Sequence, residues 1–137
     1  MSQKMVHAEN KANYVVTATV DHFEYTLDFA ERNPDKTSVG TTPTGLLVAA
    51  LAGCHLMTAR SFLVGRELDF TALKVDITAD FDHKNFDWRM TADIRLQTDA
   101  KLDERQVESL KRFIHNHCTV SNVLSHGNTL NLAIELV

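Results

Sequence analysis

Apolar and polar residues alternate along the first part of the chain. Residues 13–20, NYVVTATV, and 22–29, HFEYTLDF, both have strand character. In the second, Phe23, Tyr25, Leu27 and Phe29 alternate strictly with polar neighbours, which predicts one buried and one wet face. The short connection between them predicts an antiparallel hairpin. A polar stretch follows, with Asn33-Pro34 and Gly40 as breakers. Loops of this length are often functional.

The pattern then changes. Thr42 is a good N-cap, and Pro43 fits the first helical position, where its missing N–H has no partner anyway. A helix is predicted from there to about Gly65. Its first three turns have no polar face, so protein should cover both sides. The unbroken apolar run is residues 46–56 and is short for a membrane span. Gly53 inside a helix costs roughly 1 kcal/mol relative to Ala. It predicts that another backbone or a ligand comes close there.

Alternation returns over residues 72–82, where Leu73, Val75, Ile77, Ala79 and Phe81 share a face. It continues over 87–98 with Trp88, Met90, Ala92, Ile94 and Leu96, predicting a second hairpin with one solvated face. Asp103 is placed to cap a helix over 104–117, a short helix follows over 120–126, and residues 129–136 read as a last strand. The order β-β-α-β-β-α-α-β predicts an α+β fold of antiparallel sheets, in one domain spanning 1–137. So short a chain has little material to cover an apolar helix on both sides. An intertwined homodimer that shares strands and sandwiches its helices would solve this.

Composition narrows the function classes. The chain has 137 residues, 44% of them apolar, and a net charge of -4. Lys and Arg form no basic run, which argues against a nucleic-acid surface. The opening MSQKMVHAEN lacks the apolar core of a signal peptide, and neither membrane nor nucleic acid is an expected partner. The expectation is a cytoplasmic protein. Its two cysteines, Cys54 and Cys118, are there more readily catalytic or redox-sensing than a permanent staple.

Free cysteine usually just packs. Cys118 falls just before the short helix, where unpaired N–H groups favour a thiolate, and His115 and His117 could add to this if protonated. Cys54 sits mid-helix among apolar residues, which raises a thiol's pKa. To react it needs a cation, with Arg32 or His55 as candidates and Arg60 a weaker one.

GTTPTGLLVAALAGC, followed 64 residues after Cys54 by CTVSNVL, resembles the two signatures of the OsmC/Ohr family. These are a Gly-Thr-x-Pro opening before an apolar helix with a central cysteine, and a late Cys-Pro-Val-Ser segment. The resemblance covers nearly the whole chain. It implies thiol-dependent reduction of organic hydroperoxides in oxidative-stress defence, by a homodimer with active sites near the subunit interface. Cys54 would be the peroxidatic thiol, and Cys118 would resolve its sulfenic acid as a disulfide. An unidentified dithiol would recycle it, with no cofactor. Arg32 would steady the thiolate, and Leu47, Leu51 and Met57 would line an apolar substrate site. Two positions depart from the family pattern: Thr44 and Gly45 stand where a glutamate is usual, and Thr119 stands where proline is usual.

Two other readings compete. An OsmC-like protein with thiols that do not titrate could hold a small apolar ligand. Cys54, Cys118, His55, His115 and His117 also make a soft metal-ligand set by type. Their spacing argues against it: Cys54 and His55 point about 100° apart on a helix, and no Cys-x-x-Cys or His-x-x-x-His pair exists.

Overall fold

A computed structural model describes residues 3–137. Strands β1 (His7–Asn10), β2 (Val16–Val20) and β3 (Phe23–Leu27) precede helix α1 (Pro43–Gly65). Strands β4 (Leu73–Lys84) and β5 (Asp87–Thr98) follow, then helices α2 (Glu104–His117) and α3 (Thr119–Ser125). The fold is α+β with antiparallel sheets, as predicted. The chain divides between Ala49 and Ala50 into two compact units, each described in turn.

In the first unit the strands lie in the order β1-β2-β3. Asp21 and His22 both take positive φ, 51° and 67°. This two-residue loop has the twist that suits an antiparallel hairpin, and it brings Val20 opposite Phe23. Strand β1 was not predicted. Its four residues, HAEN, are all exposed and carry no apolar alternation, so only their pairing to β2 defines them. Phe23 and Tyr25, expected on a buried face, are 66% and 42% exposed. Three short strands do not cover that face.

The loop after β3 is built on Asp28, a buried carboxylate. One oxygen accepts from Asn33 Nδ2 at 2.8 Å and from the Phe29 N–H at 2.7 Å; the other accepts from the Val39 N–H at 3.0 Å. The Asn33 bond leads in holding the Asp28 pKa below its ordinary value. Asn33 Nδ2 also donates to the Thr37 carbonyl at 2.8 Å. Gly40 passes so close to β3 that a Cβ there would strike the Thr26 carbonyl. The Thr42 hydroxyl accepts from the Gly45 N–H at 3.1 Å, the N-cap read from the sequence.

The second unit holds most of α1 and everything after it. Leu63 and Ala59 are fully buried, and with Phe62 and Leu110 they form the core. Leu73, Leu96, Leu102 and Phe113 pack around it, and the Phe62 and Phe113 rings meet at 5.6 Å. β4 and β5 pair along all twelve residues of each, from Leu73 opposite Thr98 to Lys84 opposite Asp87. Asn85 and Phe86, both at positive φ, turn this hairpin. Asp99 fastens the sheet's other end by accepting from the Thr71 and Ala72 N–H groups, both at 2.9 Å, and from the Thr71 hydroxyl. Asp103 caps α2 through a reciprocal capping box with Gln106.

Two expectations need correction. The last predicted strand, residues 129–136, has no ladder in this chain. Leu130, Leu132, Ile134 and Leu136 are 80–93% exposed. The alternation is real, but a strand exists only where an edge is offered to it. The membrane estimate counted the unbroken apolar run, whereas α1 is 23 residues, about 34 Å at the helical rise. By length and composition alone α1 could cross a membrane; 28% of its most apolar window is buried within the chain.

Candidate active site

α1 carries Cys54 on a face turned toward the joint between α2 and α3. Cys118 alone forms that joint. Its N–H bonds the Ile114 carbonyl at 2.9 Å, ending α2, and its extended backbone (φ -74°, ψ 104°) starts α3. Asn122 fixes the joint: its amide nitrogen donates to the carbonyls of Cys118 at 2.8 Å and His115 at 2.9 Å. The chain therefore reverses tightly, and the first N–H groups of α3 point back at α1.

Those N–H groups act on Cys54. Burial pushes the Cys54 thiol up. Hydrogen bonds from the backbone of Val120, the Cys118 thiol and the backbone of Thr119 pull it down, and the net direction is below the ordinary thiol value. The Thr58 hydroxyl contributes least, because its proton goes to the Cys54 carbonyl at 2.7 Å. The sequence reading gave the α3 N–H groups to Cys118 and imported a cation for Cys54. The structure gives them to Cys54, because a thiol at the capping position need not turn toward its own helix; no side-chain cap bond forms at Cys118.

Cys118 instead meets His55. Its Sγ lies 3.3 Å from His55 Nδ1. Burial, only partly offset by the Leu51 carbonyl, lowers the His55 pKa and leaves the ring neutral near pH 7. His55 was one of two candidate cations for Cys54. The 100° between adjacent helical side chains, already used against a metal site, was the signal that it faces elsewhere.

Two hollows flank this arrangement. A pocket of about 540 Å³ is lined by Ala50, Gly53, Cys54, Met57, Thr58, Ser61, Phe113, His117 and Thr119. A larger groove of about 770 Å³ is lined by Leu51, His55, Leu110, Ile114 and Leu124 among others, with Arg95, Lys111 and His115 also on its wall. Of the three apolar residues predicted to line a substrate site, Met57 shares the pocket with Cys54, Leu51 lines the groove, and Leu47 lines neither. No atom approaches within 4 Å of a Cβ built on Gly53, so the expected close backbone is not present among the described residues. The glycine instead leaves room beside Cys54.

Arg32 belongs to the first unit. It closes a single 3-10 turn, Ala30–Arg32, and its guanidinium lies 4.5 Å from the Phe29 ring centre and 5.7 Å from that of Tyr14. Among the described residues no three His, Cys, Asp or Glu side chains gather as a metal site.

The family model for OsmC-like proteins matches residues 33–133. The chain belongs to that family. Its fold is similar to that of an OsmC-like protein from Mycoplasma pneumoniae, 22% identical, covering 90% of this chain and 88% of that one, with a TM-score of 0.76. An OsmC-like protein of unknown function from Vibrio cholerae is 17% identical, covers 90% and 94%, and has a TM-score of 0.78. An organic hydroperoxide resistance protein from Legionella pneumophila is 18% identical, covers 90% and 89%, and has a TM-score of 0.68. No protein of curated function matches the chain.

Proposed function

We propose that this protein reduces organic hydroperoxides with Cys54 as the attacking thiolate and Cys118 as the resolving thiol. The observation that carries this reading is that both thiols sit at one place: the Cys118 thiol and the start of α3 lower the Cys54 pKa, and Cys118 Sγ lies 3.3 Å from His55, the next residue of α1. The Cys54 thiolate attacks the O–O bond, releasing an alcohol and leaving a sulfenic acid. Cys118 then displaces water to form a disulfide, and a dithiol reductant restores both thiols. Both cysteines are free, the state that a reducing cytoplasm would maintain. The pocket beside Cys54, with Met57 and Phe113 on its wall, suits an apolar peroxide. Arg32 is assigned, by the family resemblance, to steady the thiolate. A homodimer is supported by the exposed apolar faces of α1 and of residues 130–136, which need cover.

Reduced protein treated with cumene hydroperoxide should lose two thiols per peroxide and gain a Cys54–Cys118 disulfide by mass. Cys54→Ser should abolish the reaction. Cys118→Ser should stop at the sulfenic acid. If the wild type loses no thiol, the peroxidase reading fails. The apolar groove then favours the second reading, a binder of small apolar ligands.

A further inference from the structure

Cys118 carries one thiol proton and has two acceptors in reach. One is the Cys54 sulfur, whose pKa the Cys118 thiol lowers. The other is His55 Nδ1 at 3.3 Å. Both members of the second contact are buried, Cys118 completely and His55 to 8% exposure. Adjacent residues of α1 thus address the same cysteine from two directions. Cys54 lines the smaller pocket, and His55 lines the larger groove on the other side.

We infer that His55 is the base that takes the Cys118 proton when Cys118 closes onto an electrophilic Cys54 sulfur. Its use during peroxide turnover rests on the two-cysteine reading above. In that case the Cys118 sulfur forms the S–S bond, the S–O bond of the Cys54 sulfenic acid breaks, and hydroxide leaves. The Cys118 proton passes to Nδ1 and from the ring to the hydroxide, so one sulfenic acid and one thiol give one disulfide and one water. Cys118 is oxidised and Cys54 reduced from the sulfenic level.

The choice between acceptors follows from charge. While Cys54 is a thiolate, it competes for the proton. Once it is a sulfenic acid or a mixed disulfide it is neutral and a poor acceptor, and His55 remains. The ring must start neutral with its proton on Nε2. Burial favours the neutral form, and Arg95 on β5 with Lys111 and His115 on α2, which line the same groove, add no anion to oppose it. The Leu51 carbonyl offers an acceptor once the ring has gained its second proton.

The test needs no peroxide. Ellman's reagent should attack the accessible Cys54 first, releasing one thionitrobenzoate and leaving a mixed disulfide. Closure by the buried Cys118 then releases a second. In His55→Asn the second release should slow about 100-fold, the low end for loss of a positioned base. The wild-type rate should level off above the imidazole titration, and the variant's should show no such plateau. His55→Gln provides a second variant if the Asn form does not fold. Equal second phases overturn the assignment, and so does a wild-type rate without a plateau, which requires no variant. A His55-dependent second phase in a protein that consumes no cumene hydroperoxide would leave the assignment intact and sink the peroxidase reading alone.

Discussion

Thr119→Pro isolates one backbone donor near the Cys54 sulfur. Thr119 is the first residue of α3, and its N–H is one of two backbone donors to Cys54. Proline at that position removes the N–H, and with it the Thr119 side chain on the pocket wall. Its fixed φ suits the first helical position, and the residue before it, Cys118, already has the extended backbone that proline requires. A hydrogen bond to a charged acceptor contributes about 1.5–3 kcal/mol. Cys54 is partly exposed and water recovers some of that, so ~1 kcal/mol is a fair expectation. The Cys54 pKa should rise, and at a pH below it the thiolate fraction should fall about fivefold. Cys54 alkylation by iodoacetamide, followed peptide by peptide against pH, measures this directly. Thermal unfolding should be nearly unchanged. A variant that folds and alkylates at the wild-type rate with the same pH midpoint would refute the claim that these donors make the thiolate.

The Asp99 carboxyl is held down to about 2 from 3.8, chiefly by the Thr71 hydroxyl. A depressed folded-state value stabilises the fold above the unfolded pKa, and that contribution disappears as pH falls through about 2. Asp99→Asn should therefore lower the thermal midpoint at pH 7 and flatten its decline between pH 4 and 2; a parallel decline in both proteins contradicts the clamp. A homodimer should give twice the 15.4 kDa chain mass in light scattering, with no dissociation on dilution through the micromolar range, whereas a monomer at those concentrations rules out the sandwiched-helix arrangement.

The elements legible in the sequence were those whose signal is local. Thr42, Asp103 and the alternation of residues 73–81 act through neighbours a few positions away, so their pattern survives without a fold around it. β1 was illegible because HAEN becomes a strand only through pairing, and residues 129–136 erred the opposite way, having the pattern but no edge. The site divided along the same line. Residue type and the family's spacing single out the two cysteines in the sequence. Their partners were exchanged, because which N–H group faces which sulfur depends on how tightly the chain reverses at Cys118, and Asn122 sets that reversal through carbonyls seven and four residues back.

That reversal separates two chemical demands that conflict at a single residue. An attacking thiol needs its anion stabilised before substrate arrives, and fixed N–H dipoles provide that without any ionisable partner. A resolving thiol should stay protonated until the other sulfur has been oxidised, because an early thiolate would repel the attacking one. It then needs a base that was idle before. A neutral, buried imidazole is such a base, and Cys118 beside it is closed off from solvent at 0% exposure. One helix can supply both environments only if its consecutive residues face different sides of the same cysteine. Cys54 and His55 do so, and in the two-cysteine mechanism proposed above the order of the two steps would follow from which of Cys118's acceptors carries charge.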